Sequence, residues 1–186
     1  KQFSDLILKR NKLKKLNFTK TEQIIPYVDQ MLFLLGKTYD KLQTFVPIQD
    51  YQIDHYKNIF LKYINPGFIK CVTDENDELV AFAITMPSFS NALKKINGKV
   101  DFIGKLRLLH AKNFNHKGSL YLIGVRPDFQ NKGVIAILFN ELQKFYNKFG
   151  ITEVETNPEL IENAAIQQLW KNYENNQHKN RATFTK

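Results

Sequence analysis

The stretch Leu120-Tyr-Leu-Ile-Gly-Val-Arg-Pro-Asp-Phe-Gln-Asn-Lys-Gly133, together with the residues that follow it as far as Phe149, decides the fold. Leu120–Val125 is an unbroken apolar run, which is typical of a central, fully buried strand. After the turn at residues 126–133, apolar side chains recur at helical spacing at Ile135, Leu138, Leu142, Phe145 and Phe149. Gly150 is placed to end this helix. The stretch predicts a strand, a glycine-containing turn and an amphipathic helix.

The start of this helix predicts a binding site for an anion. A helix N-terminus leaves backbone N–H groups without partners and carries a partial positive charge. Gly133 would let the backbone approach the anion closely, and Lys132 and Arg126 would add positive charge. The turn contains neither the Gly-Lys-Ser/Thr of a Walker loop nor a Gly-x-Gly-x-x-Gly dinucleotide fingerprint. The residues alone therefore indicate an anion site of another kind.

The remaining sequence supplies strands and helices on both sides of this unit. The expected strands are residues 13–18, a hairpin of 68–73 and 79–84 around an acidic turn, and 151–156. The expected helices are residues 24–35, 48–63 and 163–173, with a lysine-rich helical segment at 89–116. The first of these helices has a capping pattern at residues 19–22, and Gly36 is placed to stop it. This order predicts an α/β fold with a mixed sheet. We expect residues 1–18 to be an N-terminal linker or first-strand segment, and residues 19–186 to form one domain with a helical insert at about 88–117.

Composition limits the classes of function. The chain has 186 residues, one cysteine, and 27 lysines and arginines against 18 acidic residues, which gives a formal net charge of +9. One cysteine excludes an intrachain disulfide and a thiolate-rich metal site and favours the cytoplasm. The four histidines have no ligand spacing with carboxylates, so no metal is expected. No apolar run reaches the length of a membrane span, and no membrane partner is expected.

The positive charge is spread over several segments, so it indicates a solvated surface rather than a nucleic-acid site. The lysines of the insert are compatible with a solvated helical face or with a surface for an acidic substrate or partner. The opening residues read like the middle of a longer sequence, and a fragment is expected.

Val125-Arg-Pro-Asp-Phe-Gln-Asn-Lys-Gly-Val-Ile135 resembles the acyl-CoA loop of the GNAT N-acetyltransferase superfamily. The resemblance implies a GNAT-like fold in which two splayed parallel strands, Leu120–Val125 and Ile151–Thr156, hold acetyl-CoA between them. By the resemblance, Ile123, Gly124 and Val125 would pair with the pantetheine arm, with Gly124 at a bulge that opens the slot. The pyrophosphate would be held by Gln130, Asn131, Lys132, Gly133, Val134 and Ile135. Ile135 departs from the family pattern, which has a small residue there.

A second similarity lies in Asn163-Ala-Ala-Ile-Gln-Gln-Leu-Trp170, which resembles the helix that carries the family's tyrosine acid. Asn163 is the implied cofactor contact. Trp170 stands where the tyrosine would be and cannot act as an ordinary acid, so Tyr173, one turn further on, is the candidate acid. Glu155 is the first candidate for the general base, and Glu153 competes with it. His178 and His116 are further candidates.

The resemblance implies transfer of an acetyl group from acetyl-CoA to an amine of a small molecule or peptide. The alternative is a catalytically degenerate GNAT-like module that binds CoA or a partner, which Trp170 and Ile135 favour. More narrowly, the sequence looks like the C-terminal half of uncharacterised bacterial proteins built from two GNAT-like halves. A homodimer, or packing against a missing N-terminal half, is therefore expected.

Overall fold

The computed structural model describes residues 2–39, 49, 51–55, 65–159, 161 and 164–182. Within these residues the strands are β1 (Lys14–Asn17), β2 (Ile69–Thr73), β3 (Leu79–Pro87), β4 (Lys117–Val125) and β5 (Glu153–Thr156). The helices of seven residues or more are α1 (Gln2–Arg10), α2 (Ile25–Tyr39), α3 (Ser90–Ile96), α4 (Phe102–Asn113), α5 (Val134–Phe149) and α6 (Ala164–Trp170). Most of the predicted helix at 48–63 lies outside the described residues, although residues 51–55 are helical.

The five strands form one mixed sheet in the order β1-β2-β3-β4-β5. Neighbouring strands are antiparallel except β4 and β5, which are parallel. The predicted mixed α/β sheet is confirmed. The parallel pair is joined through α5, as a parallel connection requires a crossover segment.

Helices cover both faces of the sheet. Successive residues of a strand point to opposite sides, so each strand contributes side chains to the core on both faces. On one face, Ile137, Leu138 and Leu142 of α5 pack on Val72 and Val80 of the sheet, and all five are almost completely buried. On the other face, α2 packs on Ile69, Cys71 and Phe82. Burial raises the pKa of the Cys71 thiol, so the only cysteine is an unreactive core residue.

Local signals explain most helix boundaries, and the one predicted at Gly36 is wrong. Before α2, the Gln23 side chain accepts from the amides of Thr19 and Lys20 at 2.8 and 3.1 Å, which fixes the start of the helical region. Gly36 does not stop α2, which continues to Tyr39. Gly150 does end α5, with a left-handed φ of 71°.

Residues 1–18 were expected to be a linker or first-strand segment, and they contain a helix followed by the first strand, β1. Gln2–Arg10 is α1, and its buried Ile7 belongs to the same core cluster as α5. The apolar spacing of Phe3, Leu6 and Ile7 was compatible with a helix, but Lys1, the residue before Gln2, is not one of the usual N-cap types that signal a helix start.

Candidate functional site

Strands β4 and β5 pair over only half the length of β4. The parallel register runs from Lys117 opposite Glu153 to Leu120 opposite Thr156. One residue further on, the Asn157 side chain donates from Nδ2 to the Tyr121 carbonyl at 3.0 Å, where the next backbone hydrogen bond would fall. The carboxyl half of β4 and the chain after β5 are therefore splayed apart, as the family resemblance implies, and we call the region between them the wedge.

The bulge in β4 lies at Tyr121 and not at Gly124. Against β3, Leu120 pairs with Thr85 and Leu122 with Ile84, so Tyr121 is the extra residue. A bulged residue bends its strand and increases the local twist, which separates β4 from β5 where their pairing ends. Tyr121 is 38% exposed, so β4 is not the fully buried strand that its apolar run predicts.

Gly124 has a packing role. It pairs with Phe82 across β3 and β4, and a Cβ at this position would meet the Phe82 ring at 2.6 Å. Only a residue without a side chain allows the ring of this fully buried phenylalanine to lie against β4.

We expect Gly124→Ala to lower the free energy of unfolding by about 1–3 kcal/mol, because the core around Phe82 would be overpacked. The matched control is Gly36→Ala, inside α2, where an added Cβ meets nothing within 4 Å. That change should raise the free energy of unfolding by about 0.5–1 kcal/mol, since alanine favours a helix over glycine. Equilibrium urea unfolding measures both. Equal stability of Gly124→Ala and the parent chain would contradict this role of Gly124.

The turn after β4 presents the N-terminus of α5. Pro127–Phe129 forms a short 3₁₀ turn, and Asn131 and Gly133 take left-handed φ values of 61° and 77°. No side chain caps α5, and the amide of Ala136 donates to the Gly133 carbonyl at 2.9 Å. The amides of Val134 and Ile135 donate to no acceptor in the described part of the chain. They are left for an acceptor from outside, as an anion site requires.

Arg126 does not belong to this anion site. Its guanidinium contacts Asp128 at 2.9 Å, Asp74 at 3.0 Å and Glu78 at 3.4 Å. Desolvation acts against its charge, but the hydrogen bonds with Asp128 and Asp74 outweigh it and raise the pKa of Arg126. The arginine therefore fastens the turn to the β2–β3 hairpin, and its predicted role as free positive charge is wrong.

Lys132 has the exposed, uncommitted charge that its predicted role requires. Its side chain is exposed, its Nζ lies 4.7 Å from the centre of the Phe129 ring, and it pairs with no carboxylate of the described residues. Its charge is therefore available beside the first turn of α5.

Gly133 faces the N-terminal helix. A Cβ at Gly133 would meet Ile7 Cδ1 at 2.7 Å and Phe3 Cε1 at 3.7 Å. The glycine is therefore required by its left-handed φ and by the contact with α1, which the sequence did not indicate. Ile135, the departure from the family pattern, is partly buried and packs against the α5-side core.

Two side chains fasten the end of β4. Gln130 Nε2 donates to the Val125 carbonyl at 3.3 Å, and Thr38 Oγ1 lies 3.4 Å from the same oxygen. Gln130, predicted as a pyrophosphate contact, thus also closes the turn. Thr38 was not a sequence candidate, because nothing local connects the end of α2 with β4.

Glu155 lies on β5 opposite Ser119, and its carboxylate is held by the C-terminal segment. Lys179 Nζ and His178 Nε2 contact the same oxygen, Oε1, at 2.8 and 3.3 Å. The hydrogen bond from Lys179 is the main reason that the pKa of Glu155 is lowered. Oε2 has no partner within the described residues. Glu153 instead pairs with Lys117.

Tyr173 and Trp170 pack against the first half of α5. Ring centres lie 5.7 Å apart for both Phe139–Trp170 and Phe139–Tyr173. The Trp170 indole donates to both oxygens of Glu159, at 2.9 and 3.0 Å. Tyr173 is 41% exposed, and its partial burial raises the pKa of its hydroxyl. Asn163, the remaining predicted contact, lies outside the described residues.

The half-paired parallel strands and the strand–turn–helix unit define an acyl-CoA N-acyltransferase type of fold. Residues 37–172 match the model of the acetyltransferase (GNAT) family. This match covers well over half of the chain, so the chain belongs to the GNAT acetyltransferase family. No curated protein matches it by sequence.

Solved acetyltransferases share the fold. The aminoglycoside acetyltransferase meta-AAC0020 from an uncultured soil metagenomic sample, in complex with sisomicin, is 13% identical, with a TM-score of 0.54 over 96% of this chain and 99% of that one. AAC(6')-Iy in complex with the bisubstrate analogue CoA-S-monomethyl-acetylneamine is also 13% identical, with a TM-score of 0.54 over 94% and 97%. A ribosomal-protein-alanine N-acetyltransferase from Brucella melitensis biovar Abortus 2308 is 12% identical, with a TM-score of 0.52 over 93% and 96%.

The described residues contain no group of three or more histidine, cysteine or acidic side chains arranged to hold a metal ion. In the same residues, no helix has the length and apolar character needed to cross a bilayer.

Proposed function

We propose that the chain is an N-acetyltransferase that moves an acetyl group from acetyl-CoA to an amine. The observation that carries this proposal is the pair of amides at Val134 and Ile135, which lack acceptors at the end of a strand whose parallel pairing stops halfway. Bound acetyl-CoA would supply the acetyl group as a thioester. The chain's own residues would bind it, orient it and handle protons.

The pyrophosphate would lie at the N-terminus of α5. The amides of Val134 and Ile135 can donate to its oxygens, and Lys132 adds a full positive charge beside them. Gln130 and Asn131 shape the turn, through a hydrogen bond to Val125 and a left-handed backbone. Gly133 keeps α1 against the turn.

The pantetheine arm would enter the wedge beyond Leu120. Its amide groups can pair with backbone groups of a strand, and by the family resemblance we assign it to Ile123–Val125. Gly124 contributes by allowing Phe82 to pack beneath β4. Asn163 is proposed as a further contact from the start of the α6 region.

Glu155 is proposed to receive the acceptor's ammonium group. Side chains directly opposite each other on paired strands share a face of the sheet, so Glu155 lies with Ser119 on the face away from Leu120 and α5. With its pKa lowered, the carboxylate is ionised at neutral pH and attracts a cation. Accepting a proton is easier once Lys179 or His178 moves away, because their charges favour the ionised form.

Tyr173 is proposed to protonate the departing thiolate. Its raised pKa keeps the hydroxyl protonated at neutral pH, and its ring is fixed by Phe139 and Trp170 near the start of α5. Phe139 lies five residues after Val134, about 8 Å along the helix axis. Trp170 serves as a packing residue whose N–H is committed to Glu159.

A binding module without catalysis is the second candidate. Two observations favour it: Trp170 replaces the family's acid, and Glu155 is already paired with Lys179 and in contact with His178. Such a module would bind acetyl-CoA but release no thiol. We also propose that the chain corresponds to one half of a tandem GNAT-like protein. It would then pair with a second copy of itself or with the other half. The buried, reduced cysteine is compatible with a cytoplasmic location.

Calorimetric titration with acetyl-CoA, followed by assays of thiol release with amine acceptors, separates these functions. We expect micromolar binding and thiol release that depends on the amine. Sisomicin and a peptide with an N-terminal alanine are the first acceptors to try, because similar folds act on such amines. Binding without thiol release would favour the module, and no binding would overturn both functions for this chain.

A further inference from the structure

Helix α4 carries an apolar stripe on its solvent side. The apolar stripe consists of Phe102, Ile103, Leu106, Leu109 and Phe114. Each of these side chains is more than half exposed, from 51% for Leu106 to 76% for Phe102. At 100° per residue, Phe102, Ile103, Leu106 and Leu109 fall within about 120° of the helix circumference, and Phe114 follows the last residue of the helix. The exposed His110 and Asn113 lie in the same sector. Single exposed apolar residues are ordinary, but a cluster of five large ones marks an interaction site.

The opposite side of α4 attaches the helix to the protein through small residues. Gly104 and Ala111 are the buried residues of α4, and a Cβ at Gly104 would meet the Lys99 carbonyl at 2.8 Å. Arg107 adds a hydrogen bond to the Lys95 carbonyl at 2.9 Å. The helix therefore turns its small side chains inward and its large apolar ones toward solvent, which is the reverse of a helix that is merely part of the core.

Positive charge borders the stripe. Residues 88–117 contain seven lysines and arginines but one acidic residue, Asp101, whose carboxylate caps α4 by accepting from the Gly104 amide at 2.7 Å. Six of the seven cations form no ion pair with any carboxylate of the described residues: Lys94, Lys95, Lys99, Lys105, Arg107 and Lys112. By helical position, Lys105 and Lys112 flank the stripe on one side and Arg107 on the other.

The stripe lies at the end of the sheet away from the proposed cofactor site. The insert that carries the stripe starts after Pro87 at the end of β3, and Pro87 pairs with Gly118 near the start of β4. The N-terminus of α5 follows the other end of β4, at Val125. Gly118 and Val125 are seven strand residues apart, which corresponds to about 24 Å. The surface is thus available to another molecule while the cofactor site is in use.

We propose that the apolar stripe of α4 is a docking surface for an anionic lipid membrane. Exposed phenylalanine and leucine side chains can enter the acyl–headgroup boundary, while the flanking lysines reach anionic headgroups. Charge complementarity favours this occupant over a second copy of the chain, since a symmetric contact would bring the unpaired cations of both copies together. The binding would be peripheral.

The test is flotation of the purified chain with vesicles of phosphatidylcholine alone or with about one third phosphatidylserine. We expect binding to the anionic vesicles, weak binding to the neutral ones, and release at about 0.5 M salt. Phe102→Ser should weaken binding about ten-fold, as expected for loss of one inserted aromatic side chain. Its control is Phe33→Ser, which removes another phenylalanine, 69% exposed, on α2.

The charges are tested by Lys105→Glu with Lys112→Glu, which should weaken binding by more than about ten-fold. The control makes the same change of net charge at Lys148 and Lys171, both exposed and outside the insert. All the substituted side chains except Lys112, which is half-buried, are exposed, and circular dichroism checks that each variant folds. Three results would overturn the proposal: no flotation, equal losses in test and control variants, or a dimer that Phe102→Ser dissociates.

Discussion

Lys132→Glu should weaken binding of acetyl-CoA by about 10- to 100-fold, because it places a negative charge beside the proposed pyrophosphate site. Lys132 is exposed and its Nζ lies over the Phe129 ring, so the change leaves the core intact. Isothermal titration calorimetry with acetyl-CoA gives the dissociation constant directly.

Lys148→Glu is the matched control for this change. It reverses one exposed charge in the last turn of the same helix, away from the anion site, and should leave the dissociation constant within about two-fold. Equal weakening in both variants would mean that net charge alone attracts the ligand. An unchanged constant in Lys132→Glu would place the pyrophosphate elsewhere. Gly133→Glu is less suitable, because a side chain there would displace Ile7 and disturb α1.

Tyr173→Phe should lower kcat about 100-fold while the dissociation constant for acetyl-CoA stays the same. Removing the hydroxyl removes the proposed proton donor, and general acids contribute about 10²–10⁴ to a rate. The ring remains, so its packing on Phe139 and Trp170 is retained. Steady-state thiol release with the best acceptor, together with calorimetry, measures the two quantities separately.

Tyr27→Phe is the control for this second variant, since Tyr27 is also a partly buried tyrosine that packs on a phenylalanine ring, Phe18, at 5.9 Å. It should leave kcat unchanged. A Tyr173→Phe variant with full activity would show that another group, or water, supplies the proton, and would return Tyr173 to a packing role.

The strand–turn–helix unit could be predicted because its signals are local. Apolar spacing and the terminal glycine gave the bounds of α5 at Val134 and Phe149, and the hairpin of β2 and β3 followed from two apolar runs around Asp74–Glu78. These elements depend on side-chain periodicity and turn residues within one segment, which a single sequence contains.

The details of the site depended on contacts that are distant in sequence. Arg126 stands in the turn, yet Asp74 of the hairpin decides where its guanidinium goes. The Tyr121 bulge depends on the register with β3, and Glu155 is neutralised by residues more than twenty positions later. A local pattern shows which residue types are present but not their long-range partners. For this reason Arg126 pairs with acidic residues instead of carrying free charge, and Gly124 packs against Phe82 instead of forming the bulge.

The contact of Ile7 and Phe3 with Gly133 makes the first helix part of the anion loop. Detachment of α1 would remove a support of the turn, so the docking of α1 and the proposed anion binding would be thermodynamically coupled. Such coupling is reciprocal: a ligand that orders the turn would also hold α1 in place, and a molecule that pulls α1 away would lower affinity for the ligand by the same factor. The occupancy of the proposed cofactor site would then depend on what α1 contacts.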